Sequence, residues 1–445
     1  QERILSSIFI HSLSVSRLMK KMIISVLMII SAGLSAQSQG NQLRYVLFLG
    51  NSYTAANNLP QMLSDIALST GNTVVFNSNT PGGYTLQAHS TNQETLSFIE
   101  SGGWDFVVLQ EQSQLPALPI EQVEHMVFPF ARKLDSLINI SDPCVETLFY
   151  MTWGRKNGDS ENCPQWPPVC TYEGMDSLLA LRYKMMADSN MAILAPVGRV
   201  WHYLRTFYPG IELYASDGSH PSVAGTYAAA LSFYTAIFRQ DPIQVTYNAS
   251  LDQETAGYIR NAVRLVVYDS LTSWNIGLYD PAAGFNAEVN GFEVSFANSS
   301  QYADQYEWDF GDGNTSAQPN PVHIYNASGD YEVRLVAGHC NMSDIETQAI
   351  HVLPTGIEMV SSSLTRIFPN PGKGTVTVTG RNGFLEGYTF ELMTMDGRII
   401  RRETGTMTDS LTMDVTGVQP GIYLLKVKDL TDNTVFIQKV IISAP

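Results

Sequence analysis

Two short segments carry the residues whose types and spacing suit covalent chemistry: Gly50-Asn51-Ser52-Tyr53-Thr54 and Asp217-Gly218-Ser219-His220-Pro221. A serine hydroxyl is a weak nucleophile until a base takes its proton, and an imidazole base needs a carboxylate to fix its tautomer and stabilise the imidazolium. An Asp and a His three residues apart in a tight turn let one loop present both groups. A serine after a strand ordinarily only caps the next helix, and an Asp/Ser turn ordinarily only starts one. Taken together the two segments assign Ser52 as nucleophile, His220 as base and Asp217 as the orienting carboxylate of an acyl-transfer centre.

Between residues 43 and 275, strand and helix signals alternate. Residues 43–49 form an apolar strand, 59–68 have helical spacing, and 73–77 read as a second strand. The run DFVVL at 105–109 has the continuous apolar character of a buried parallel strand. Further strands are expected at 146–151 and 191–196, and helices at 121–138, 222–239 and 253–273. This alternation predicts a three-layer α/β/α domain on a parallel sheet. Ser52 then stands at the carboxyl end of the first strand, where ligand crevices form in open sheets. The helix that follows offers unpaired N–H groups for an oxyanion.

The serine after the first strand, and the Asp-x-x-His pair before the last helix, together resemble the SGNH (GDSL-like) hydrolases over roughly residues 43–275. An α/β-hydrolase elbow, G-x-S-x-G, does not fit, because position 54 is Thr. The resemblance implies a flavodoxin-like SGNH fold and a serine esterase that needs no cofactor or metal. It also implies two more oxyanion donors. Pro81-Gly82-Gly83-Tyr84 supplies the backbone one, with Gly83 preferred over Gly82. The family's third-block asparagine is missing; Gln110-Glu111-Gln112-Ser113-Gln114 stands there, with Gln112 the preferred amide donor and Gln114 the alternate. The expected substrate is an ester, with acetyl groups on a polysaccharide as the finer expectation. The competing readings are a non-catalytic glycan-binding or adhesion protein on the same scaffold, and a lipase or thioesterase. The sequence has no long apolar lid segment, which disfavours large lipids.

After residue 280 the pattern turns to short alternating runs divided by Gly, Asn and Asp turns, which predicts two small β-sandwiches. The first, at 281–354, holds Trp308-Asp309-Phe310-Gly311-Asp312-Gly313, then Pro321, His323, Tyr325 and Gly329-Asp330-Tyr331, and resembles a PKD domain. A spacer role is preferred to polysaccharide binding, and the turn role of its Asp residues to Ca²⁺ binding. A Ser-rich linker covers 355–365. Residues 366–445 carry Phe368-Pro369-Asn370-Pro371, Asp396-Gly397-Arg398 and Gln419-Pro420-Gly421-Ile422-Tyr423, and resemble the C-terminal sorting domain of type IX secretion. That resemblance implies export across both membranes of a Gram-negative cell, with the secretion machinery as partner, to the surface or beyond.

The other end agrees with export. Lys20 and Lys21 precede an apolar run from 22 to 34, and Ser35-Ala36 offers a cleavage site, so 19–36 reads as a signal peptide and not a membrane anchor. Residues 1–18 read as upstream sequence outside the protein proper, and the hydrolase domain spans 40–280. The net charge of −16 argues against a nucleic-acid partner. Among four cysteines, Cys163 and Cys170 bracket NCPQWPPVC and are placed to close that loop. Trp153, Trp166 and Trp201 are assigned to packing ahead of sugar stacking. His89 either approaches the site or bonds within its loop.

Overall fold

The computed structural model describes residues 41–353, 364–380, 385–407, 410–428 and 434–443. The expected signal peptide, the segment before it and most of the 355–365 linker lie outside the described residues. The chain divides into two compact units between Tyr279 and Asp280.

The first unit is built on five parallel strands: β1 (Leu43–Leu49), β2 (Thr73–Asn79), β3 (Phe106–Leu109), β4 (Glu146–Tyr150) and β5 (Ile193–Ala195). Their order is β2-β1-β3-β4-β5, so the strand order reverses beside β1. In open α/β sheets that switch point is where the crevice forms. Side chains alternate between faces along a strand, and each face has its own core. Val46 and Phe48 pack with helices Leu59–Leu68, Val197–Phe207 and Val223–Phe238. Leu47 and Leu49 pack with helices Phe128–Ser141 and Tyr172–Ser189. The arrangement is the three-layer α/β/α fold expected from the sequence.

Some elements differ from their sequence reading. The helix expected at 121–138 is two helices, Ile120–Met126 and Phe128–Ser141, broken at Val127, whose ψ of −61° goes with a φ of −123°. Pro129 causes the break: it fits the first turn of a new helix but not the interior of a continuing one. The helix from Gln253 stops at Val266 and gives way to a 3₁₀ segment, Tyr268–Trp274. Helices Gln93–Glu100, Tyr172–Ser189 and Val197–Phe207 are additional to the expected set. Cys163 and Cys170 form the disulfide that closes the Pro-rich loop after β4. No helix of the described residues is long and apolar enough to cross a membrane.

In the second unit, residues 285–352 form a three-stranded and a four-stranded sheet around Phe285, Phe296, Trp308, Phe310, Tyr325, Val333 and Leu335. Its acidic turn residues are occupied locally. Asp309 accepts from the Gly311 N–H at 2.9 Å, and Asp312 accepts from the Asn314 N–H at 3.0 Å and pairs with His323 Nε2 at 2.8 Å. Between Leu364 and Ile442, seven described strands surround one further core, to which Ile367, Val378, Met413, Phe390, Leu425 and Val440 contribute.

Helix Val223–Phe238 is buried at every residue from Ala224 onward, as its nearly unbroken apolar sequence requires. Its first turn also sets the position of Pro221 and His220. A Cβ at Gly225 would lie 2.3 Å from the Leu213 carbonyl oxygen and 2.4 Å from Trp201 Cζ2. Gly→Ala inside a helix normally stabilises by roughly 0.5–1 kcal/mol. At Gly225 we expect the opposite sign, a loss of about 1–3 kcal/mol from overpacking, measured by urea denaturation; a rise in stability would contradict this close approach.

Candidate active site

Ser52 is the first residue of a short helix, Ser52–Ala55, directly after β1. The helix is capped by Asn51, whose Oδ1 accepts from the Tyr53 N–H at 3.1 Å. The serine is therefore released from the capping role that its position suggests, and its hydroxyl is free for other work. Asn51 does more than cap. Its N–H donates to Gln110 Oε1 at 3.0 Å, and its Nδ2 donates to the Tyr84 carbonyl at 2.9 Å. The nucleophile turn is thus tied both to the end of β3 and to the Gly82-Gly83 turn. A Cβ at Gly50 would stand 2.4 Å from Thr54 Oγ1 and 2.8 Å from Gln110 Oε1, so a larger residue there displaces the side chains that hold the turn.

The Asp217–His220 turn comes from the far end of the unit. His220 Nδ1–H donates to Asp217 Oδ2 at 2.5 Å, and Ser52 Oγ–H donates to His220 Nε2 at 2.8 Å. Asp217 Oδ1 also accepts the Ser219 and His220 N–H groups, at 2.9 and 3.0 Å. Partial burial works to raise the Asp217 pKa. The hydrogen bonds from the His220 ring and the two N–H groups outweigh it and hold the carboxyl below its ordinary range. An ionised Asp217 favours the Nδ1–H tautomer, which leaves Nε2 to accept the Ser52 hydrogen bond.

The turn rests on an aromatic stack. Tyr53 lies parallel to Trp153, ring centres 5.0 Å apart, and Trp153 lies parallel to Trp201 at 3.7 Å. The Tyr53 ring meets His220 edge-on at 5.2 Å. Trp153 Nε1 donates to the Ser219 carbonyl at 3.1 Å, and the Tyr53 hydroxyl shares a 2.6 Å hydrogen bond with Ser219 Oγ. Trp153 and Trp201 are fully buried, and Trp166 donates its N–H to the Ala117 carbonyl at 3.0 Å, so packing is the role of all three. His89 is buried and bonds within its surroundings: Nε2–H donates to the Gly50 carbonyl at 2.8 Å and Nδ1 accepts from Thr95 Oγ1 at 2.9 Å. Burial lowers its pKa against the pull of the Gly50 carbonyl, which keeps this ring a neutral strut beneath the nucleophile turn.

The Ser52 N–H, first in its helix, has no intrahelical acceptor. Gly83 has a φ of +73° and open space where a Cβ would project. The glutamines divide differently from their sequence reading. Gln114 Nε2 donates to Asp159 at 2.9 and 3.0 Å and to Glu161 at 3.1 Å, all acceptor-only oxygens, so this amide faces away from an oxyanion role. Gln112 gives one N–H to Gln114 Oε1 at 2.9 Å, which leaves its second. Gln110, Asn51 and Tyr53 are not singled out as site residues by the sequence, and Trp153 is assigned there only to packing. The position of Gln110 directly after a buried strand was the available signal for it. Among the described residues no group of three or more His, Cys, Asp or Glu side chains is placed to hold a metal.

Residues 280–352 match the family model of the PKD domain, and residues 366–443 match that of the secretion system C-terminal sorting domain. The chain therefore carries a PKD domain and a type IX sorting domain, which directs it to the cell surface or outside. Among curated proteins, it is 33% identical over 82 residues to the collagenase ColQ1 of Bacillus cereus (strain Q1), covering 18% of this chain and 8% of that one. The chain thus spans under a tenth of that relative's length. Similar solved structures include a DUF4886 family protein from Bacteroides uniformis, at 16% identity and a TM-score of 0.44, covering 52% of this chain and 95% of that one. Another is a putative SGNH hydrolase from Slackia heliotrinireducens, at 27% identity and a TM-score of 0.36, covering 43% and 97%.

Behind the glutamines lies Glu111, fully buried. Its carboxyl accepts from the Gln112 N–H at 2.6 Å and from the Leu86 N–H at 3.2 Å, joining the loop after β3 to the segment after Gly83. Burial pushes its pKa up to about 8, against the pull of those two N–H groups. A carboxyl raised in the folded state favours folding fully below its ordinary pKa of 4.5, and that contribution is lost as pH rises to about 8. Denaturation midpoints should therefore fall between pH 5 and pH 9, and fall less in Glu111→Gln, which cannot ionise. Parallel pH profiles for the two proteins would contradict the assignment.

Proposed function

We propose that the first unit is a serine ester hydrolase with Ser52, His220 and Asp217 as its catalytic residues. The observation that carries this reading is the continuous relay from Ser52 Oγ through both ring nitrogens of His220 to Asp217, at 2.8 and 2.5 Å. Ser52 Oγ attacks the ester carbonyl carbon while His220 Nε2 takes its proton. The Ser52 and Gly83 N–H groups and the remaining Gln112 N–H hold the developing oxyanion. The bond to the alkoxy oxygen then breaks, and His220 protonates the leaving alcohol. Water repeats the sequence on the acyl-enzyme and releases the acid and free Ser52. A purely binding role gives no purpose to a nucleophile freed from its helix cap and aligned on a base.

The finer reading is an enzyme that removes acetyl groups from polysaccharide outside the cell. Export and the company of a PKD domain support it by association, and the small acyl group fits the lack of a lid segment. The decisive comparison is the full chain against Ser52→Ala on 4-nitrophenyl acetate and on acetylated polysaccharides. Wild type should turn over the aryl ester, with kcat/KM at least about 10³-fold lower in Ser52→Ala. Equal rates would remove Ser52 from the mechanism, and acetate release from no glycan would remove the finer reading. Asp217→Asn should lower kcat by about 10³–10⁴ by allowing the wrong tautomer. Gln112→Ala should lower it by about 10²–10³ with little change in KM, as expected for a bond made only in the transition state.

A further inference from the structure

Four segments at the carboxyl end of the sheet converge next to the triad. Tyr53 comes from the nucleophile turn, Ser113 from the loop after β3, Arg155 from the loop after β4, and Ser219 from the Asp217–His220 turn. The Tyr53 hydroxyl bonds Ser219 at 2.6 Å, Arg155 reaches Ser113 at 3.4 Å, and the Lys156 N–H bond to the Gly218 carbonyl at 2.8 Å brings the Arg155 segment against the Asp217–His220 turn. The Tyr53 ring meets His220 edge-on at 5.2 Å, so this cluster lies beside the imidazole.

Arg155 is the cation of the cluster, and it is loosely held. Its Nη1 is 3.3 Å from Asp159 Oδ1 and its Nη2 is 3.4 Å from Ser113 Oγ, while its buried Nε has no hydrogen-bond partner among the described residues. Arg155 shares the buried Asp159 carboxylate, whose pKa its charge helps to hold down, with other donors. That carboxylate takes closer bonds from Asn162 Nδ2 at 2.7 Å and from Gln114 Nε2 at 2.9 Å. A guanidinium presents five donors in a planar fork that matches a carboxylate. Here most of that capacity is unspent, on a side chain that remains 25% exposed.

We propose that Arg155, with the Ser113 and Tyr53 hydroxyls, forms a subsite for a carboxylate carried on the alcohol portion of the ester. The proposal rests on the hydrolase reading for the word ester, and on the side-chain geometry alone for the carboxylate. It makes the preferred substrate an ester of an acidic alcohol, such as an acylated sugar acid, in place of a neutral one.

The test uses 4-acetoxybenzoate and 4-acetoxybenzamide, which differ in charge at one position, with each rate divided by its uncatalysed rate. Wild type should favour the benzoate in kcat/KM by about tenfold or more, the scale of one hydrogen bond to a charged group. The ratio should fall to near one in Arg155→Gln and stay intermediate in Arg155→Lys. A ratio taken within one preparation is insensitive to partial unfolding of a variant. Calorimetry on Ser52→Ala should show 4-hydroxybenzoate binding more tightly than 4-hydroxybenzamide, and the added Arg155→Gln change should abolish the difference. Turnover without a charge preference, or a preference unchanged in Arg155→Gln, overturns the subsite and leaves the hydrolase standing. An Arg155-dependent binding preference without turnover sustains the subsite and overturns the hydrolase.

Discussion

The hydrogen bond between Ser52 Oγ and His220 Nε2 joins residues 168 positions apart, and the rest of the first unit can be understood as what holds its two ends at 2.8 Å. One end is fixed by β1, the strand beside the switch point of the sheet. The other is a turn closed by its own bonds to Asp217 and anchored further from outside. Trp153 and Tyr53 do this through Ser219, and the Lys156 N–H adds a 2.8 Å bond to the Gly218 carbonyl. The turn's exit is fixed by Asn57, whose Nδ2 donates to the Pro221 carbonyl at 3.0 Å and to Thr226 Oγ1 at 2.8 Å. The stack of three buried rings backs the turn from behind.

Polar groups buried under the site follow the same logic. Gln110 and Glu111 are fully buried at the end of β3, where an unpaired polar atom would cost about 1–3 kcal/mol. Both are engaged. Gln110 accepts from the Asn51 N–H and from Thr54 Oγ1, and Glu111 gathers two N–H groups from two loops. These bonds tie the loop after β3 to the Ser52 turn and to the segment after Gly83. The same low dielectric that strengthens them keeps Glu111 largely protonated at neutral pH.

The second unit uses local chemistry instead. In the PKD domain, the acidic turn residues bond to N–H groups two positions on and to His323, which stacks on Phe310 at 4.2 Å. A Cβ at Gly311 would lie 2.6 Å from the Glu332 carbonyl oxygen, so this turn and the strand beside it approach at backbone distance.

Sequence by itself marked Ser52, Asp217 and His220 as a candidate triad, and it determined the parallel α/β layer order and the all-β character beyond residue 280. Each of these is written in residue type at short spacing: a serine after an apolar strand, Asp and His three apart, a period of two or of about 3.6. It also offered the Cys163–Cys170 closure, which the structure contains. Tertiary structure alone decided which amides face the site. Gln112 and Gln114 are two residues apart and chemically identical, and what separates them is that Asp159 and Glu161, from a distant loop, claim both N–H groups of Gln114. It likewise decided that Asn51 caps the helix and frees Ser52, that His89 is a strut, and that Arg155 arrives beside Tyr53. Those outcomes depend on contacts between loops joined only through the sheet, and short-range spacing carries no record of them.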